Sequence, residues 1–426
     1  MSAQTDTAKQ SKPAADETTD LSKQYDTPLG LAHTTMQALK DRIKLHYDLA
    51  SDYYLNLWGE HIHHGYWPTP SSKATDTKET AQLNLIHLLL STAQLEAPAP
   101  SSSLATTTTA AGSIVSATAT DGSGGAAAAG QQQQPQQLRV LDVGCGVGGT
   151  TRYLASALGA SVTGITISGK QVAIARRLSL KTAGNGAAGT GTGGDDDGKG
   201  IAGDAQQQQQ QDGGGAVMER EKEQGFIGVG AKGGRVRFLE LDAEKMGEYF
   251  SSGGGGGGKN VADGEEKDGD GGEKAEGFDI VWISEALSHF PNKALFFRNA
   301  QQLLRPGGKL VLADWFKQEG LSKAEFEADV KPIEDGMLLP PLCTQQEYVD
   351  LATTAGLKVL SPPKDISADV SKTWDISWSL VQNPSLWAFA FSQGRDGIAF
   401  LQAFRAMRRG YANGSFRYAV MSFAKP

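Results

Sequence analysis

LRVLDVGCGVGGTTRYLAS, Leu138 to Ser156, is the stretch whose reading decides the fold. It opens on an apolar run, Val140, Leu141 and Val143, which suits a buried strand of a parallel sheet. It then breaks into Gly144-Cys145-Gly146-Val147-Gly148-Gly149 and restarts with helical spacing at Tyr153, Leu154 and Ala157. Strand, glycine turn and helix form the first unit of a doubly wound α/β sheet. Glycines permit the sharp turn and a close approach of backbone to ligand, and the new helix turns its free N–H groups toward that ligand.

The glycines fit two patterns. Gly144, Gly146 and Gly149 satisfy G-x-G-x-x-G, whereas Gly144, Gly146 and Gly148 satisfy G-x-G-x-G, and an ordinary tight turn would satisfy both. Asp142, two residues ahead, is more telling. A carboxylate there suits a cation and would repel a pyrophosphate.

Outward from this stretch, strands and helices alternate. ASVTGITI, Ala160 to Ile167, reads as a second strand with its helix at Lys170 to Lys181. Arg235 to Leu241 is a third strand, ending just before Asp242, and Phe278 to Ile283 is a fourth. A helix from Ala294 to Leu304 is stopped by Arg305-Pro306-Gly307-Gly308 and followed by strand Lys309 to Ala313. Lys358 to Leu360 and Phe416 to Phe423 complete seven strands, with helices at Trp374 to Phe391 and Gly397 to Arg409 between them. Ser322 to Glu325 and Thr344 to Glu347 are capping-box signatures that start further helices. The expected fold is a Rossmann-like, doubly wound, mostly parallel seven-stranded sheet.

Ahead of the sheet, Met1 to Gln24 reads as a disordered tail, and residues 25–96 as a helical arm with apolar positions at Met36, Leu39, Ile43 and Leu45. Three low-complexity inserts, 97–137, 182–234 and 251–277, interrupt the rest, and residues 138–426 otherwise form one domain. None cuts a strand of this reading. Loop closure costs only about 0.6 kcal/mol per doubling of length, so such growth is tolerated on the surface. Excising Thr182 to Gly234 is therefore expected to leave activity within a few-fold.

Composition narrows the partners. A net charge of -8 over 426 residues argues against a nucleic acid held through its phosphates. Two cysteines, Cys145 and Cys343, cannot build a disulfide framework or a zinc site, which suits a reducing compartment. No apolar run reaches the length of a membrane span, and the acidic, polar first residues fit neither a secretory nor a transit signal. A cytoplasmic protein is expected.

The stretches YDLASDYYLNLWGEHIHHGYW, VLDVGCGVGGTTRYLA, VTGITISGKQ, FDIVWISEALSHFPNK and LLRPGGKLVLADW resemble, in this order, the gamma-tocopherol C-methyltransferases. These are class I enzymes dependent on S-adenosylmethionine, and relatives acting on sterols, quinone rings and sarcosine are similar. The resemblance implies this cofactor and a small apolar acceptor, foremost a prenylated phenol methylated on carbon. A sterol or a small amine is the alternative acceptor. It further implies that Asp142, Gly144, Gly146 and Gly148 wrap the methionine part, that Thr166, Ser168 and Gln171 meet the ribose, and that Asp242 and Ala243 read the adenine. A nicotinamide oxidoreductase would want an acid at the end of strand two, near Thr166 or Ser168, and none is there.

Tyr47, Tyr53, Trp58, His64 and Trp67 of the arm are candidates for a lid whose ring faces suit a sulfonium. Trp374 and Trp378 are candidates for the acceptor wall. His61, His63 and His64 invite a metal reading, but no further ligand sits at the spacing zinc requires, and no metal is expected. Glu285 and His289 follow strand four, where loops line the crevice of an open parallel sheet. A phenol becomes a good carbon nucleophile once its hydroxyl is deprotonated. His289 is the expected base, with Glu285 orienting it or contacting the acceptor.

Overall fold

Five parallel strands form the centre of the sheet in the computed structural model, which describes residues 36–95, 137–187, 225–252, 277–381 and 395–426, together with Trp387 and Phe391. The strands are β1 (Arg139–Val143), β2 (Ser161–Thr166), β3 (Ile227–Val229), β4 (Gly234–Glu240), β5 (Phe278–Ser284), β6 (Leu304–Lys317), β7 (Lys358–Asp365) and β8 (Phe416–Ala424). Their order across the sheet is β3-β4-β2-β1-β5-β6-β8-β7. β4, β2, β1, β5 and β6 pair in parallel, while β3, β8 and β7 join antiparallel. The tail and the interiors of the three inserts lie outside the described residues.

The chain leaves β1 toward β2 on one side and returns to β5 on the other, so strand order reverses at β1. Ligands of open α/β sheets bind beyond the carboxyl ends of strands at such a switch point. Both faces of the sheet are covered, which explains why β1 and β5 read as continuous apolar runs. Val140, Ile280, Trp282 and Val311 pack on one face, and Leu141, Val143, Val281, Ile283 and Leu312 on the other.

Eight strands stand where seven were expected. The additional β3 lies inside the stretch read as a low-complexity insert and pairs antiparallel with β4 through Ile227–Val236 and Val229–Gly234. Ile227 and Val229 are buried. An excision reaching Gly234 would therefore strip the edge of the sheet. The preceding helix, Gly169–Ala187, also runs beyond its expected end.

Helix α1, Met36–Trp58, crosses the carboxyl end of the sheet. Leu39 and Ile43 hold it against Leu338 and Ala399, with Tyr47 and Ile167 packed on the same cluster. Leu45, expected on its apolar face, is 57% exposed instead. Both capping boxes are formed, at Ser322 and Thr344. No helix among the described residues is long and apolar enough to cross a membrane.

Candidate active site

Gly144, Gly146 and Gly148 adopt φ of +74°, +54° and +81°, a region that side chains other than glycine's rarely enter. The N–H groups of Gly144 and Cys145 both donate to the Ile165 carbonyl, at 2.9 and 3.0 Å, which fixes the turn against β2. A Cβ on Gly144 would collide with Ala286, whereas a Cβ on Gly146 would meet nothing within 4 Å. Gly146 lines a cavity that is open to solvent. Gly144, Gly146, Thr166, Gln171, Asp242 and Ala243 all line it, drawn together from the ends of β1, β2 and β4.

The other three residues expected around a cofactor stand behind this wall. Gly148 caps the following helix, and a side chain there would strike Phe238 and Arg152. The Ser168 hydroxyl accepts from the Gln171 N–H at 3.1 Å and donates to Asp48 of α1 at 2.5 Å. Asp142 is only 3% exposed and accepts a 2.6 Å hydrogen bond from the Thr151 hydroxyl. Burial pushes its carboxyl up to about 7, against the pull of Thr151. It supports the turn from beneath and does not reach the cavity wall.

Around the open groups, polar contacts fix geometry. Thr166 donates to the Gln171 side-chain carbonyl at 2.6 Å. Asp242 accepts from the Glu244 N–H at 3.0 Å and from Lys40 of α1 at 2.8 Å. The Lys40 amine also donates to Glu244, at 2.5 Å. Burial lowers the pKa of Lys40, but the hydrogen bonds to both carboxylates outweigh it and raise the group overall.

A second cavity lies further toward the C-terminal end of α1, where His46, Tyr54 and Trp58 join Ile43 and Tyr47 in its wall. Its wall is aromatic: Tyr47, Tyr54, Trp58, Trp315, Trp374, Phe400 and Phe404 line it, with His46, His63 and His64. No Lys or Arg lines it among the described residues. Ile43, Tyr47, Ile62, Glu285 and His289 line both cavities, so the two meet at these five residues.

Of the expected lid and acceptor residues, Tyr47, Trp58, His64 and Trp374 reach this second cavity. Trp67 and Trp378 do not. Trp67 is fully buried, donating its indole N–H to the Asp76 carbonyl, and it anchors the arm instead of covering the site. Trp378 lies under the Arg408 guanidinium, 5.2 Å from the ring centre. The Tyr53 side chain lies outside the described residues.

Glu285 sits directly after β5 with φ of +56°, strained for a residue bearing a Cβ. Its carboxylate takes three hydrogen bonds: from the His64 N–H at 2.7 Å, the His64 Nδ1 at 2.9 Å and the Tyr418 hydroxyl at 2.8 Å. Burial pushes this carboxyl up, but the His64 ring and its hydrogen bonds bring it below the ordinary range. His289 ends a short turn, Leu287–His289, with its Nε2 3.3 Å from the Tyr47 hydroxyl. Burial, with His46 and Lys293 nearby, lowers its pKa to about 3. Burial and Glu285 raise Tyr47 to about 12. Tyr47 therefore keeps its proton beside a neutral imidazole.

Sequence reading missed Trp315, Tyr418, Lys40 and Glu244. Trp315 lay beyond the expected end of strand Lys309 to Ala313, Tyr418 looked like a strand residue, and Lys40 has no acidic residue three or four positions away.

A family model for a methyltransferase domain matches residues 119–361, more than half of the chain. The chain belongs to the methyltransferase domain family. It is an S-adenosylmethionine-dependent methyltransferase. The O-methyltransferase cnsE of Penicillium expansum is 32% identical over 74% of this chain and 71% of its own. The chloroplastic tocopherol O-methyltransferase of Arabidopsis thaliana is 24% identical over 93% of this chain and 85% of its own. Among solved structures, the cyclopropane synthase MmaA2 from Mycobacterium tuberculosis shares the fold, with a TM-score of 0.53 at 14% identity, covering 91% of this chain and 98% of that one.

Proposed function

We propose that this methyltransferase acts on an uncharged aromatic acceptor that carries a hydroxyl and an apolar tail, placing the methyl on a ring carbon. The observation that carries this reading is the second cavity, walled by aromatic rings and free of Lys and Arg among its described lining residues. An acceptor bearing a diphosphate or a carboxylate would leave that charge unpaired in an apolar enclosure, at a cost of several kcal/mol. A prenylated phenol or hydroquinone leaves none. The tocopherol named for the Arabidopsis relative is an acceptor of this kind.

The open glycine turn, the hydroxyl and amide of Thr166 and Gln171, and the Asp242–Ala243 pair would hold S-adenosylmethionine. Hydroxyl and amide groups can hydrogen-bond a ribose without adding charge. When bound, this cofactor supplies a methyl group on a sulfonium. Tyr47, Ile62 and Ile43 exclude water where the cavities meet, and Tyr47 offers its ring to a cation there, worth about 0.5–2 kcal/mol. Holding acceptor and donor across this junction supplies about 7–11 kcal/mol of the barrier by positioning.

Incubating the full chain with methyl-labelled S-adenosylmethionine and separate acceptors tests the reading. γ-Tocopherol and 2-methyl-6-phytylhydroquinone should gain a ring methyl, located by NMR, while sarcosine and geranyl diphosphate should not react. Turnover confined to the charged acceptors, or an ether as the product, would sink it.

A further inference from the structure

His64 shares with His63 a buried Nε2 that has no hydrogen-bond partner among the described residues and lies in the wall of the acceptor cavity, but only His64 has its Nδ1 held by a carboxylate, whereas His63 Nδ1 meets the His64 carbonyl. The His64 Nδ1 lies 2.9 Å from Glu285 Oε2, and a carboxylate only accepts, so Nδ1 carries the ring proton. In the neutral ring Nε2 is then a lone-pair acceptor. It is buried and has no hydrogen-bond partner among the described residues, in a residue that is 3% exposed and lines the acceptor cavity. The ring cannot turn freely, because Tyr418 and Trp374 pack on it with centroids at 4.8 and 5.1 Å. Its backbone is pinned on both sides: the His64 N–H donates to Glu285, and the Gly65 N–H to the Thr373 hydroxyl at 3.1 Å. Glu285 holds a strained φ while gripping this histidine at two atoms.

A buried, oriented and unsatisfied acceptor costs stability, and such groups persist where they serve a reaction. His289, by contrast, already has its Nε2 beside the Tyr47 hydroxyl, at 3.3 Å.

We propose that His64, oriented by Glu285, is the general base that takes the hydroxyl proton of the acceptor. This rests on the hydroxylated acceptor proposed above. The acceptor O–H bond breaks and an N–H bond forms at Nε2, with the positive ring facing Glu285. The electron pair left on oxygen is delocalised to the ring carbon and forms the new carbon–methyl bond, as the S–CH3 pair stays on sulfur. The ring carbon then loses its hydrogen as a proton, aromaticity returns, and the oxygen recovers a proton from His64. One proton is released per methyl transferred. A base so placed contributes on the order of 10²–10⁴ in rate.

The test uses His64→Gln and, as a second variant that keeps the carboxylate's shape, Glu285→Gln, with two acceptors at neutral pH. One is an ordinary phenol and the other a phenol acidified by ring fluorines that keeps a ring C–H beside its hydroxyl, so that the hydroxyl gives up its proton more readily. With the ordinary phenol, His64→Gln should lower kcat at least ~100-fold and Glu285→Gln at least ~10-fold. For His64→Gln, calorimetric affinity for S-adenosylmethionine should stay within a few-fold. With the acidified phenol both deficits should shrink to less than about fivefold, because the hydroxyl proton then leaves with little help from a base. A merely structural role predicts equal deficits on both acceptors, and that result overturns the assignment. So does near-wild-type turnover of the ordinary phenol by His64→Gln. If the wild-type enzyme turns over no hydroxylated acceptor, the proposed acceptor class has failed first, and this inference falls with it.

Discussion

Lys40 and Asp242 are 202 positions apart in the chain, and the Lys40 amine lies 2.8 Å from the Asp242 carboxylate. This contact, with those from Lys44 to Glu240 and from Ser168 to Asp48, fastens α1 over the groups that line the first cavity. The arm is thus tied by charge beside the first cavity and by apolar packing at Leu39 and Ile43.

Lys40→Met removes that tie and leaves Asp242 and Glu244 facing each other without a cation. A charge-assisted hydrogen bond in a partly buried setting contributes about 1–2 kcal/mol. S-adenosylmethionine binding should weaken roughly fivefold to thirtyfold in calorimetry, with the salt dependence of binding reduced. Unchanged affinity would mean that α1 does not cover the cofactor.

Gly146 and Gly144 should respond differently to alanine. At Gly146 a methyl has room but must take φ of +54°, a strain of about 1–2 kcal/mol. That variant should fold and bind S-adenosylmethionine more weakly, since the methyl occupies the cavity side. At Gly144 the methyl collides with Ala286, so the loop bearing Glu285 must shift. Gly144→Ala should lose both affinity and turnover. Equal behaviour of the two in binding and melting experiments would contradict this account of the turn.

The tryptophans separate core from wall. Trp67→Ala should cost about 3–5 kcal/mol of stability, as large-to-small changes at fully buried aromatics do. Trp374→Ala should leave the cofactor Kd unaltered while raising KM for the acceptor about tenfold or more. Acceptor kinetics beside a melting curve would distinguish them, and an acceptor KM untouched by Trp374→Ala would remove that residue from the wall.

Much of this could be read from the chain because it is written locally. β1, the glycine turn and its helix follow from an apolar run, small residues and helical spacing within one short stretch. The capping boxes at Ser322 and Thr344 are equally local. β3 could not be read, because three residues between glycines acquire their meaning only by pairing with β4. Trp67 and Trp374 look alike in sequence, and only tertiary packing makes one an anchor and the other a wall. The His64–Glu285 pair spans 221 positions and exists only because β5 delivers Glu285 to the arm.

Two buried groups make opposite demands on pH. His289 has a pKa of about 3 in the folded protein against an ordinary 6.5, so the unfolded chain binds more protons between those values. Stability from this site is therefore present above 6.5 and is lost as pH falls toward 3. Asp142, raised to about 7 from 3.8, holds its proton in the folded state, and stability is lost as pH rises from 4 to 7. Relative to wild type, His289→Gln should gain Tm on acidification from pH 6.5 to 4.5, and Asp142→Asn should gain between pH 4.5 and 7. Each kcal/mol corresponds to roughly 2–4 °C in a domain of this size. Melting curves that run parallel to wild type would contradict these burial effects.

The central claim is that methyl donor and acceptor meet across the wall shared by Tyr47, Glu285 and His289. A crystal structure with S-adenosylhomocysteine and a phytyl hydroquinone measures this directly. The account predicts the sulfur at that junction, the ribose beside Thr166 and Gln171, the adenine beside Asp242 and Ala243, and the acceptor hydroxyl within hydrogen-bond reach of His64 Nε2. A nucleoside bound outside this cavity, or a ring whose hydroxyl faces away from His64 with Glu285 uninvolved, would contradict it.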